Sequence, residues 1–134
     1  MNTAPSQSRA LAVFIACPWA QAYERLSQPA SFAAWASGLG MLRQNGAEWL
    51  ADTPQGTARI RFSPRNPFGV LDHWVTLPSG EAVYVPMRLV AHGEGCELSL
   101  TLFRQPGVSD AQFEADAEWV VRDLEAARRW LEAF

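Results

Sequence analysis

The sequence has few of the features that would place a protein in a membrane or outside the cell. Only two of its 134 residues are cysteines, Cys17 and Cys96, and their separation is not that of a metal site. No apolar run reaches the ~18 residues that a membrane span needs. Residues 1–8 lack the basic and apolar regions of a secretory signal. We therefore expect a cytoplasmic protein whose two cysteines are free, buried thiols.

Basic residues are also too few and too scattered for binding to nucleic acid. The net charge is −3 and the pI is about 5.3, and no run of arginines occurs. The sequence contains no metal-ligand spacing, no glycine-rich phosphate loop and no nucleophile elbow. It therefore predicts no metal, no cofactor and no nucleic-acid partner, and it gives no support to a covalent mechanism.

The strongest pattern in the chain is an amphipathic helix over residues 109–134. Ser109 suits the N-cap, with Gln112 three residues later as in a capping box and Asp110 favourable to the helix dipole. A helix of about 25 residues is ~37 Å long and needs a broad partner surface. At 3.6 residues per turn its apolar side chains fall on one stripe, which comprises Phe113, Ala117, Val120, Leu124, Ala127 and Leu131.

Strand-like segments before this helix provide that surface. We predict a flexible tail over residues 1–7 and one domain over residues 8–134 with the element order β, α, α, six β, α. The two short helices follow Pro18 and Pro29, and Asn45-Gly46 marks a hairpin turn. The predicted strands are 8–16, 41–44, 47–51, 57–63, 70–77, 81–92 and 96–105.

Loop lengths between these strands predict which residues lie opposite one another. A two-residue turn at Gly93-Glu94 places the apolar row Val83, Val85, Met87 and Leu89 opposite the row Leu98, Leu100 and Leu102. A three-residue loop at 78–80 pairs Val75 with Val83 and His73 with Val85. A six-residue loop at 64–69 pairs Ile60 with His73 and Phe62 with Leu71. The same register places Arg61 opposite Asp72 on the outer face, and Tyr84 between Trp74 and Phe103.

With this pattern assembled, the chain resembles the SRPBCC superfamily of START, major birch pollen allergen and polyketide cyclase domains. The resemblance covers Leu11 to Leu131 and rests on the element order, on NPFGVLDHWV (66–75) and on TLFRQPGVSD (101–110). It implies an α+β helix-grip fold, in which a curved seven-stranded antiparallel sheet wraps the long C-terminal helix and two short helices after strand 1 close one end. It also implies an apolar cavity between the sheet and the helix.

The main functional hypothesis is that this cavity binds a small hydrophobic molecule, such as a lipid, an aromatic compound or a polyketide. Ala117 and Ala127 are small side chains on the helix stripe and would leave room for such a ligand, in a cavity of ~300–1,000 Å³. The residues predicted to line it are Ile60, Phe62, Leu71, His73, Val75, Val85, Met87, Leu100, Leu102, Ala117, Val120 and Leu124.

Two alternatives stay open. His73, facing inward, would transfer a proton in an enzyme of the cyclase or dehydrase type, unless it is simply a buried histidine satisfied by its neighbours. Asp116 and Asp123, at the edge of the helix stripe, are further candidates for acid–base chemistry or for ordinary ion pairs. The third hypothesis is an interaction module, or a homodimer, that uses the outer aromatic face.

Overall fold

A computed structural model of the chain describes residues 7–37 and 41–134. An antiparallel sheet holds a long C-terminal helix, so the fold is α+β and of the helix-grip type. The helices are α1 (Trp19–Leu26), α2 (Phe32–Trp35) and α3 (Asp110–Glu132), with one 3-10 turn at Pro29–Ser31. The strands are β1 (Ser8–Ile15), β2 (Leu42–Asn45), β3 (Glu48–Thr53), β4 (Gly56–Phe62), β5 (His73–Thr76), β6 (Ala82–Val85), β7 (Met87–His92) and β8 (Gly95–Phe103).

The strand predicted over 81–92 is interrupted at Pro86, which separates β6 from β7. Proline has no N–H to donate to the neighbouring strand, so the sheet's hydrogen bonds are interrupted there. The sheet therefore consists of two hydrogen-bonded parts, with the strand orders β1-β8-β7 and β2-β3-β4-β5-β6. The two parts remain connected, because Val70 bridges Arg88 and Leu71 N donates to Met87 O at 2.8 Å. Counted with β6 and β7 as one interrupted strand, the sheet has the expected seven strands.

The predicted register is correct at two hairpins and wrong at a third. In the β5–β6 hairpin Val75 pairs with Val83 and His73 with Val85, as expected. In the β7–β8 hairpin Met87 and Leu89 lie opposite Leu100 and Leu98, also as expected. Between β4 and β5, however, Phe62 pairs with His73 and Ile60 with Val75, two residues away from the prediction. The cause is a loop of ten residues where six were expected. Because the shift is even, every side chain keeps its predicted face, but Arg61 lies opposite Trp74 and not opposite Asp72.

The loop between β4 and β5 is organised by the Asn66 side chain. Its Oδ1 accepts hydrogen bonds from the backbone N–H groups of Phe68 and Val70, and its Nδ2 donates to the Val70 carbonyl. The Asn66 N–H donates to the Tyr23 hydroxyl at 2.8 Å. The segment that carries part of the family resemblance therefore fixes the position of α1 against the sheet.

Helix α3 lies mainly along β1 and α2, with further contacts to β8. Ser109 caps it as predicted, since its Oγ accepts from Gln112 N at 3.1 Å. Arg9 of β1 and Glu114 of α3 form an ion pair at 2.6 Å. The side chains of α3 that are buried are Phe113, Ala117, Leu124, Ala127 and Leu131.

The hairpin turn predicted at Asn45-Gly46 lies one residue later, at Gly46-Ala47, because Asn45 pairs with Glu48. Both cysteines are free and buried, and the Cys96 thiol donates to the Cys17 carbonyl at 3.3 Å.

Of the tail predicted over 1–7, residues 1–6 lie outside the described part of the chain. Across residues 7–37 and 41–134, no helix combines the length and the hydropathy required to cross a membrane.

Candidate ligand-binding face

The concave side of the sheet carries two rows of inward side chains that cross neighbouring strands. The first row is Phe62, His73 and Val85, on β4, β5 and β6. The second row lies further from α1 and α2 and comprises Trp49, Ile60, Val75 and Val83, on β3 to β6. These rows contain five of the predicted ligand-binding residues, together with Trp49 and Val83, which were not among the predicted ones.

The predicted lining residues divide into a packed group and a partly open group. Leu71, Met87 and Leu124 are buried members of the main core, against which Phe62, Leu100 and Val120 pack. Ala117 is buried and borders a surface groove shared by α3 and β1. Of the remaining apolar residues, Ile60 is fully buried. The other three face the concave side or lie at its edge and are only half-buried: Val75, Val85 and Leu102.

His73 is 5% exposed and lies between two phenylalanine rings. Its ring centroid is 5.2 Å from that of Phe32 and 5.8 Å from that of Phe62. Nδ1 is 3.1 Å from the Leu71 carbonyl, which can only accept, so Nδ1 carries the proton. Burial lowers the pKa of His73, and the imidazole is therefore neutral, with Nε2 available as an acceptor.

A narrow cleft lies between α1 and the sheet, beside the residues that flank His73. The cleft there is bordered by Tyr23, Leu26, Phe32, Phe62 and Leu71, among others, and its free volume is about 20 Å³. That volume holds roughly one water molecule. A ligand of drug size cannot enter through this cleft, and His73 is not among the residues that line it.

The carboxylates at the edge of the helix stripe are held by neighbouring groups of the chain. Asp123 Oδ1 accepts hydrogen bonds from Ser37 Oγ at 2.6 Å and from Ser37 N at 3.2 Å. Burial raises the pKa of Asp123, against the lowering effect of these bonds. Asp116 accepts from Gln112 at 2.8 Å within the same helix. Both aspartates therefore have structural partners.

Asp72 is a buried charge whose predicted partner is wrong. It was expected to pair with Arg61, but it is 5% exposed and accepts two hydrogen bonds from Arg88, both at 2.8 Å. Tyr84 Oη and Met87 N also donate to it, at 2.6 and 2.9 Å. Burial alone would raise the pKa of the Asp72 carboxyl, but these donors outweigh it and lower the pKa to about 2.

Comparison with proteins of known sequence gives no match to a family model and no match to a curated protein. Solved structures do match. DynU16, a protein of the dynemicin biosynthetic locus, has a TM-score of 0.69 at 21% identity over 96% of this chain. The present chain spans about half (48%) of the length of DynU16.

Two further structures match over nearly their whole length. The Aha1 dimer from Colwellia psychrerythraea has a TM-score of 0.72 at 12% identity, over 94% of this chain and 96% of its own. Ara h 8.0201 has a TM-score of 0.67 at 11% identity, over 97% of this chain and all of its own. The chain therefore shares the fold of these structures, which is of the helix-grip type. At these identities the likeness establishes the fold but does not identify a ligand.

Proposed function

We propose that the protein binds a small hydrophobic molecule, such as a lipid, an aromatic compound or a polyketide, on the concave face of the sheet. The observation that carries the proposal is the partial exposure of the inward side chains Val75, Val83 and Val85. Inward valines of a small domain are normally covered by the core. Helix α3 packs mainly along β1 and α2. This packing favours a concave face on which a ligand could cover the three valines.

The chemistry of this face suits a mostly apolar ligand. Trp49 is half-buried beside Ile60 and offers an aromatic surface, and the valines would gain about 25 cal/mol per Å² of apolar area covered. The neutral His73 in the adjacent row would accept one hydrogen bond through Nε2. A ligand with an apolar body and a single hydroxyl group matches this arrangement.

The test is a pair of tryptophan substitutions on opposite faces of the sheet. Val83→Trp fills the concave face, whereas Val90→Trp adds the same bulk at an exposed position on β7. We expect Val83→Trp to weaken binding of the neutral dye N-phenyl-1-naphthylamine at least tenfold, and Val90→Trp to leave it unchanged. Circular dichroism checks that both variants fold. A folded Val83→Trp protein that binds the dye like the wild type would contradict the proposal.

Native mass spectrometry of the purified protein identifies the ligand class. We expect a mass excess that disappears after denaturation and solvent extraction, and the extracted compound then competes with the dye. An extracted compound that binds the wild type and the Val83→Trp variant equally would place the site elsewhere.

Proton transfer by His73 is a second candidate function for the same face. It is favoured by the neutral imidazole, whose Nδ1–H is fixed by the Leu71 carbonyl and whose Nε2 is free of hydrogen bonds to the described residues. The extracted compound is incubated with wild type and with His73→Gln, and its conversion is followed by mass spectrometry. Conversion by the wild type alone supports proton transfer, whereas equal conversion by the variant excludes His73 as the base.

A further inference from the structure

A row of aromatic rings crosses the convex face of the sheet, on the side opposite to the proposed ligand. Trp74 stacks on Tyr84 with ring centroids 5.2 Å apart and planes 19° apart. Tyr84 in turn stacks near Phe103, at 6.2 Å and 23°. Arg61 lies directly across from Trp74 on β4. We refer to Arg61, Trp74, Tyr84 and Phe103 as the convex row.

The buried Asp72 holds this row in place. It accepts from the Tyr84 hydroxyl and is itself fixed by the two hydrogen bonds from Arg88. A side chain that is already ordered loses little conformational entropy when a partner binds. Tyr84 and the Trp74 ring stacked on it therefore form a preorganised anchor at the surface, where Trp74 is 42% exposed and Tyr84 37%.

Beside the row lies an open groove of about 390 Å³ with a positive wall. It is lined by Glu48, Arg59, Arg61, Trp74 and Thr76. The only acidic group of this lining, Glu48, is 3.8 Å from Arg59, and the described residues give Arg61 no ion pair and no hydrogen bond. The groove is locally positive on a protein whose net charge is −3.

We propose that the convex row and its groove dock an acidic segment of a partner protein. Carboxylates of the segment pair with Arg59 and Arg61, and an apolar side chain packs on the free face of the Trp74 indole. Tryptophan, tyrosine and arginine are the residues that contribute most often to protein–protein binding energy. A second copy of this chain is a poorer occupant, because a two-fold contact would bring the same arginines together.

The test uses two synthetic peptides, EDFEDLE and its uncharged counterpart QNFQNLQ, added to ¹⁵N-labelled protein. We expect the acidic peptide to shift the NMR signals of Arg59, Arg61 and the Trp74 indole, and to bind more weakly as salt rises. The uncharged peptide should bind at least tenfold more weakly. Equal binding of the two peptides, or no shifts with the acidic one, overturns the proposal.

Charge reversal localises the site. We expect Arg61→Glu to weaken binding of the acidic peptide at least tenfold, and Arg122→Glu, an exposed change on α3, to leave it unchanged. A folded Arg61→Glu protein that binds like the wild type overturns the proposal. So does a wild-type dimer in sedimentation that Trp74→Glu converts to monomer, since the face is then occupied by a second copy. Because the dye is expected to bind the other side of the sheet, the peptide result does not depend on the proposed ligand site.

Discussion

Gly69 approaches the backbone of β7 so closely that a methyl group has no room. It has φ of +74°, and a Cβ built on it would lie 2.1 Å from the carbonyl oxygen of Leu89. The same carbonyl accepts a hydrogen bond from the Trp19 indole at 2.9 Å, and Leu89 N donates to Gly69 O. This one residue therefore allows β7, the loop before β5 and α1 to meet.

Gly69→Ala should destabilise the protein by about 3 kcal/mol or more, because it adds a backbone clash to the cost of a left-handed conformation. Gly80→Ala is the matched control: Gly80 also has positive φ, +93°, but nothing lies within 4 Å of its Cβ position. We expect that variant to lose only about 1 kcal/mol. Urea unfolding measures both, and equal losses would show that the close approach to Leu89 is unimportant.

The N-terminus of α3 is determined by one side chain. Ser109 is extended, with φ −71° and ψ 163°, and its Oγ satisfies the Gln112 N–H. We expect Ser109→Ala to lower the free energy of unfolding by about 1 kcal/mol, and Ser109→Asp to preserve it. Thermal unfolding followed by circular dichroism checks this, with a shift of about 3 °C for the alanine variant. An aspartate variant as unstable as the alanine variant would argue against capping.

The strand elements were predictable to different degrees. The pairings β5–β6 and β7–β8 are set by short turns, so counting residues across the turn gives the register. The pairing β4–β5 spans a ten-residue loop whose closure depends on Asn66 and on the two hydrogen bonds from Ser63 to the Asp72 carbonyl. Counting failed there, because those contacts bring together groups that are not adjacent in sequence.

Acid should destabilise the whole molecule in two steps. The pKa of His73 is lowered by burial from its ordinary 6.5, so the unfolded chain binds this proton first and stability falls as the pH drops below that value. The pKa of Asp72 is lowered from 3.8 to about 2, and its contribution of ~2 kcal/mol is lost as the pH falls between those values. Asp123, whose pKa is raised, offsets part of this loss.

Urea unfolding between pH 7.5 and pH 2.5 tests the two steps separately. His73→Gln should remove the upper step, whereas His92→Gln, at the exposed end of β7, should retain it. Asp72→Asn should be less stable than the wild type at neutral pH and should lack the lower step. A His73→Gln protein with the wild-type pH profile would show that the buried imidazole does not govern the upper step.

The sequence by itself determined the element order, the long capped helix and the face of each strand residue. These depend on periods of 3.6 and 2 residues and on short turns, which are local properties of the chain. Side chains alternate between the two faces of a strand, and this alternation predicted that Trp74, Tyr84 and Phe103 lie side by side on the outer face. The structure has this stack. His73 was likewise correctly expected to be buried and inward.

Only the tertiary structure decided what surrounds those residues. It placed Phe32 of α2 against His73, paired Asp72 with Arg88 and not with Arg61, and packed α3 mainly along β1 and α2. Each of these depends on how elements distant in sequence pack together and on which partner best compensates a buried charge. No local sequence pattern predicts these contacts, because the packing energy depends on residues that come together only in the folded molecule.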